Sequence, residues 1–159
     1  MTQSNGWNAT FELASCGGTI ILQEGVNATI TSPNYPRTYS SGALCEWYVQ
    51  APRGHFVEAY IDHLMLPSYV EYGNCSEYLL MRDGSDETAE LIQGPICSIW
   101  AARDAGKVYR SSSRALYVKF ASPIQRSTTL QSYCSDGGCG FKMRLVSSKY
   151  GEFVVWLGV

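Results

Sequence analysis

The chain has 159 residues, enough for one domain that buries about 70% of its unfolded surface without needing covalent staples. Its net charge is −2, with 16% charged residues and no basic stripe, which excludes nucleic acid as the expected partner. The 6 cysteines therefore speak of compartment rather than size, and an even count in a β-rich chain points to secretion or cell-surface display.

In chain order, Met1-Thr2-Gln3-Ser4-Asn5-Gly6 is polar and has no apolar leader, and residues 1–15 read as a leader or linker. From Cys16 onward, short strand-like runs alternate with turn clusters and no helical period persists. The expected strands are Thr19–Gln23, Ala28–Thr31, Cys45–Gln50, Phe56–Leu66, Glu77–Arg82, Lys107–Arg110, Ala115–Ala121 and Phe141–Val146. Turns at Pro33-Asn34, Pro52-Arg53-Gly54 and Asp83-Gly84 separate them. Val57, Ala59 and Ile61 alternate with polar neighbours, the phase slips by one at His63, and Leu64 and Leu66 resume it. A slip of this kind marks a β-bulge. Leu116, Val118 and Phe120 alternate with Tyr117, Lys119 and Ala121. Such a succession of short strands predicts an all-β sandwich. Residues 122–140 form a long connection rich in Ser, Thr and Gly. The end, Phe153-Val154-Val155-Trp156-Leu157-Gly158-Val159, is apolar but too short to span a membrane. The sequence reads as a segment of a larger multidomain protein.

Cys16-Gly17-Gly18, Ser32-Pro33-Asn34-Tyr35-Pro36, Cys45-Glu46-Trp47, the slipped strand, Cys75 with Leu79-Leu80-Met81-Arg82-Asp83-Gly84, Cys97, Leu116/Val118/Phe120/Ser122 and Gly140-Phe141 follow one another along the chain. Together they resemble the CUB domain, particularly the modules of cubilin-type and other multi-CUB proteins. The resemblance implies a disulfide-stapled jelly-roll β-sandwich of two antiparallel sheets over 16–147, with 148–159 as a C-terminal extension. Six cysteines allow 15 pairings. The resemblance implies Cys16–Cys45 and Cys75–Cys97, which leaves Cys134 with Cys139. A zinc knot at that last pair would need further Cys or His ligands, and none stands nearby.

Many CUB domains hold calcium through three acidic side chains, as a hard cation requires. Pro67 stands at the first of these positions, Glu77 or Tyr78 at the second and Pro123 at the third. Only Glu71, in the adjoining loop, could substitute, so calcium is possible but disfavoured and no other cofactor is expected. Catalysis is not expected either. His55 and His63 are the only neutral-pH bases, and no nucleophile elbow, metalloprotease helix or phosphate loop accompanies them. Trp47 reads as core beside a disulfide, and Trp100 as a loop aromatic.

The expected role is a non-catalytic extracellular module that binds a protein or other ligand, with Tyr69, Glu71, Tyr72 and Glu77 as candidate binding residues. Two alternatives are a non-catalytic module beside a secreted protease and a self-associating or carbohydrate-binding secreted protein of the spermadhesin kind. Asn8, Asn27 and Asn74 begin sequons and are candidate N-glycosylation sites, in keeping with a secreted or cell-surface glycoprotein.

Overall fold

A computed structural model describes residues 16–67, 75–97, 106–124, 134 and 138–151. The strands are β1 (Gly18–Ile21), β2 (Ala28–Thr31), β3 (Leu44–Gln50), β4 (His55–Met65), β5 (Tyr78–Asp83), β6 (Glu90–Ile96), β7 (Val108–Arg110), β8 (Ala115–Ala121) and β9 (Gly140–Lys149). They form a five-stranded sheet in the order β1-β3-β8-β5-β6 and a four-stranded sheet in the order β2-β9-β4-β7. All pairings are antiparallel except β1 with β3.

The alternation in the sequence becomes the inner faces of the two sheets. From the first sheet come Trp47, Val49, Leu79, Met81, Leu116, Val118 and Phe120; from the second, Val57, Ala59, Ile61, Leu64, Met143 and Leu145. All are at most 5% exposed, and each large aliphatic so buried contributes about 1.5–3 kcal/mol. Phe141 is the hub, with Trp47 edge-on at 5.8 Å and Phe120 tilted at 5.3 Å between ring centroids.

The phase slip in β4 is a bulge. The β4–β9 register shifts between Ile61 and His63, which turns Asp62 outward to the Arg144 guanidinium at 2.8 and 3.1 Å. Leu64 and Leu66 then return to the core. Tyr117, on the polar phase of β8, is nevertheless only 1% exposed. Its ring packs against Tyr48 and its hydroxyl donates to Glu46 at 2.6 Å. Burial first, and then that hydrogen bond, push the phenol pKa up.

Two motifs acquire physical reasons. Gly17 lies at φ 92°, and a Cβ there would sit 2.7 Å from the Glu46 carbonyl oxygen, so the chain beside the Cys16–Cys45 bridge accepts only glycine. In the Ser-Pro-Asn-Tyr-Pro turn, Tyr35 N–H donates to the Ser32 carbonyl at 3.2 Å. Ser32 N–H donates to the Phe141 carbonyl and the Ser32 hydroxyl oxygen accepts Phe141 N–H, both at 3.1 Å, so Ser32 continues the β2–β9 pairing one step beyond Thr31 and Lys142.

Cys16–Cys45, Cys75–Cys97 and Cys134–Cys139 are bonded, with Cα separations of 5.2, 5.8 and 5.4 Å, inside the usual range. Two elements depart from the sequence expectation. β6 was not expected: Gly94-Pro95 argues against a central strand, and β6 is an edge strand paired only with β5. β9 runs three residues past Val146, because Ser147, Ser148 and Lys149 find ladder partners in Val57, Phe56 and His55. Strand structure therefore crosses the boundary expected at residue 147.

Phe141→Ala should lower unfolding free energy by about 3–5 kcal/mol in urea titration, since it empties the contact between the sheets. A loss below 1 kcal/mol would mean that the ring is not the hub described.

Candidate ligand-facing end of the sandwich

Register places five strand ends, the breaks between strand and connection, at one pole. β4 ends with Met65 opposite Gly140, the first residue of β9. β8 ends with Ala121 opposite both Leu44, where β3 begins, and Tyr78, where β5 begins. The connections that leave at Pro67 and Pro123, and the returns at Cys75 and Gly140, therefore share this end.

The segment from Tyr35 to Ala43 crosses the pole and ties these breaks together. Thr38 Oγ1 donates to the Cys134 carbonyl at 3.2 Å, and Gly42 N–H to the Pro123 carbonyl at 2.8 Å. Ser122 Oγ accepts Ala43 N–H at 2.9 Å and donates to the Ser40 carbonyl at 3.2 Å. His63, exposed in part beside the bulge, packs on Tyr35 at 5.6 Å and donates from Nε2 to the Gly138 carbonyl at 2.8 Å, which secures the Cys134–Cys139 loop.

At the centre of this end is a buried polar pair. Glu77 is 0% exposed, and its carboxyl accepts the hydroxyl of Tyr39, itself 2% exposed. A carboxyl so placed is costly unless hydrogen bonded. The Tyr39 ring is held edge-on against Phe120 at 4.9 Å, which fixes where the hydroxyl points. Tyr39 was not singled out in the sequence. It lies in a loop with no periodicity, and only its place shortly after the Ser-Pro-Asn-Tyr-Pro turn could have drawn attention to it.

Glu77, expected on a binding surface, is instead interior and supports the end from below. Tyr69, Glu71 and Tyr72 lie outside the described residues, as do Trp100, Asn8 and Asn74. Asn27 is exposed in the β1–β2 connection. The two histidines are apart, His55 at the start of β4 and His63 near its other end. Each is hydrogen bonded to a backbone carbonyl, and neither is paired with a serine, threonine or cysteine among the described residues.

A family model described as CUB domain matches residues 16–134. A cubilin homolog of Caenorhabditis elegans is 36% identical over 148 residues, covering 92% of this chain and 4% of that protein. The zinc metalloproteinase dpy-31 of the same organism is 35% identical over 74 residues, 46% of this chain and 12% of that one. This chain thus spans only a small part of these relatives. Among solved structures, the MASP-1 CUB2 domain bound to Ca2+ superposes with a TM-score of 0.60 at 19% identity, covering 82% of this chain and 99% of that one.

Calcium seeks six to eight oxygen ligands, several of them charged. Of the three acidic positions the family implies, Pro67 and Pro123 offer no side-chain oxygen, and Glu77 is already bound by Tyr39. No group of three His, Cys, Asp or Glu able to hold a metal occurs among the described residues. The described residues of this corner do not fit the ion. Millimolar CaCl2 should move the melting temperature by less than about 1 °C. A rise of several degrees, reversed by chelator and absent with Mg2+, would contradict this. The Cys16–Cys45 and Cys75–Cys97 bridges that the resemblance implies agree with the matched sequence, and the chain belongs to the CUB domain family.

Proposed function

We propose that this CUB domain is a non-catalytic extracellular binding module of a larger multidomain receptor or secreted protein, and that its partner, a protein or other ligand, docks at the Pro67/Pro123 pole. The observation that carries this reading is the way the pole is braced. The Cys75–Cys97 and Cys134–Cys139 bridges, the Tyr39–Glu77 pair and the His63–Gly138 bond all secure the roots of the connections that leave there. Rigid roots lower the ordering cost that a binding loop otherwise meets. Tyr69, Glu71 and Tyr72, in the connection rooted at Pro67 and Cys75, supply the contact groups. Buried tyrosines are frequent interface anchors. Ile124, 85% exposed at the root of the second long connection, adds apolar area at the same pole. A second reading, a non-catalytic module flanking a secreted protease, draws on the similarity to the metalloproteinase dpy-31.

The test uses the partner recovered on immobilised domain from extracellular extract. Tyr69→Ala with Tyr72→Ala should weaken binding by about 2 kcal/mol or more, while Gln50→Ala, at the other pole, leaves it unchanged. Normal binding by a correctly folded double variant would place the interface elsewhere. Secretory expression should add a glycan at Asn27, seen as a mass shift lost both with glycosidase treatment and in Asn27→Gln. A secreted protein without sugar at Asn27 would exclude that site.

A further inference from the structure

At the pole opposite Glu77, a cleft of about 420 Å³ lies between the β1–β2 turn, the start of β4 and the end of β9. His55 begins β4 opposite Lys149 and is only 7% exposed. Its Nδ1 is 3.0 Å from the Arg53 carbonyl oxygen. A carbonyl can only accept, so Nδ1 carries the proton and the neutral ring keeps a lone pair at Nε2. That Nε2 is buried and meets no donor among the described residues.

The β1–β2 turn faces this nitrogen. Val26 N–H donates to the Gln23 carbonyl at 3.2 Å, and Ser147 Oγ of β9 donates to the same carbonyl at 3.3 Å. The two oxygens of the Glu24 carboxylate have different neighbours. Oε1 pairs with Lys149, while Oε2 stands 4.0 Å from His55 Nε2, beyond hydrogen-bond length. The bond from Lys149 holds the Glu24 carboxyl below its usual range, so it stays ionised wherever a histidine titrates. The other titratable groups around the ring have partners of their own. Glu58, further along β4, takes the Tyr60 hydroxyl at 2.5 Å and Arg110 at 3.5 Å. Tyr150, just past β9, donates its hydroxyl to the Ser112 carbonyl. Arg53 is exposed and meets the ring through its carbonyl.

We propose that His55 and Glu24 form a proton-operated latch that fastens the β1–β2 turn to the start of β4. When the ring is neutral the latch is open, and the turn is held by the Lys149 pair and the Ser147 bond. On acidification solvent supplies a proton to Nε2, whose lone pair becomes an N–H. A buried cationic N–H without an acceptor is costly. The nearest charged acceptor is Glu24 Oε2, and the 4.0 Å gap must close by about 1.2 Å to reach the usual charge-assisted length. The Glu24 side chain is 62% exposed, so it has room to make that movement. Oε1 remains with Lys149, and one carboxylate then joins cations from β4 and β9. Proton uptake and closure of the turn therefore require each other. The turn carries the exposed Val26 and Asn27, so the surface of this pole stiffens as the pH falls.

The test is a titration of the folded chain from about pH 8 to about pH 5, the range in which histidine changes charge, followed by ring ¹⁵N spectra and amide hydrogen exchange. His55 should gain its Nε2 proton in this range. The protection factor of the Val26 amide, corrected for the intrinsic pH dependence of exchange, should rise severalfold along with it. Glu24→Gln, at an exposed site, should fold normally and abolish the rise. Lys149→Met should keep it, since that ion pair does not change charge over the range, and so should His63→Gln at the other pole. A His55 ring that stays neutral to the end of the titration, Val26 protection that is level with pH, or a rise that survives in Glu24→Gln would overturn the latch.

Discussion

A carboxyl with no solvent exposure must be satisfied inside the protein, and Glu77 accepts the Tyr39 hydroxyl. That one requirement organises an entire end of the sandwich. The chain after β2 crosses from the four-stranded sheet to β3 in the five-stranded one, and on the way it brings the hydroxyl to Glu77 beside the start of β5. Once there, Thr38, Ser40, Gly42 and Ala43 bond Cys134, Ser122 and Pro123. The Tyr39 ring sits on Phe120, which touches Phe141 and so the hub of the core. The polar pair and the apolar core thus position each other. Charged or neutral hydrogen bonds are worth more in such low-dielectric surroundings, and an orphaned member costs correspondingly more.

Much of this was legible in the sequence, for identifiable reasons. Strands with one buried face write their phase as alternation, so β4 and β8 and even the slip at Asp62–His63 could be read directly. The CUB resemblance implied two bridges, and the third followed from what remained. What could not be read depends on partners rather than on local pattern. The Ser147-Ser148-Lys149 tail is a strand only because β4 is there to pair with it. Tyr117 occupies a polar phase yet is covered by Tyr48 and held by Glu46. Glu77 looks like any surface carboxylate until a tyrosine 38 positions earlier is folded against it.

The two poles of the sandwich differ chemically. At one, proline replaces acidic side chains and the remaining carboxylate is turned inward, so the corner is closed by hydrogen bonds and covalent bridges. At the other, Glu24, His55 and Lys149 line an open polar cleft, and one imidazole nitrogen is left unmatched. Between them the β-sandwich is a stiff spacer, which suits a module that holds loops for a partner. It also lets one end change without disturbing the other, since residues far apart without shared contacts act additively.

The central claim is that the buried hydroxyl–carboxyl pair clamps the Pro67/Pro123 end of the sandwich. A double-mutant cycle on unfolding free energy, with Tyr39→Phe, Glu77→Gln and the combination, measures it most directly. The account predicts a coupling of about 1.5 kcal/mol or more, at or above the upper end of the usual range for one hydrogen bond. Strict additivity, with each single change costing under 0.5 kcal/mol, would contradict it.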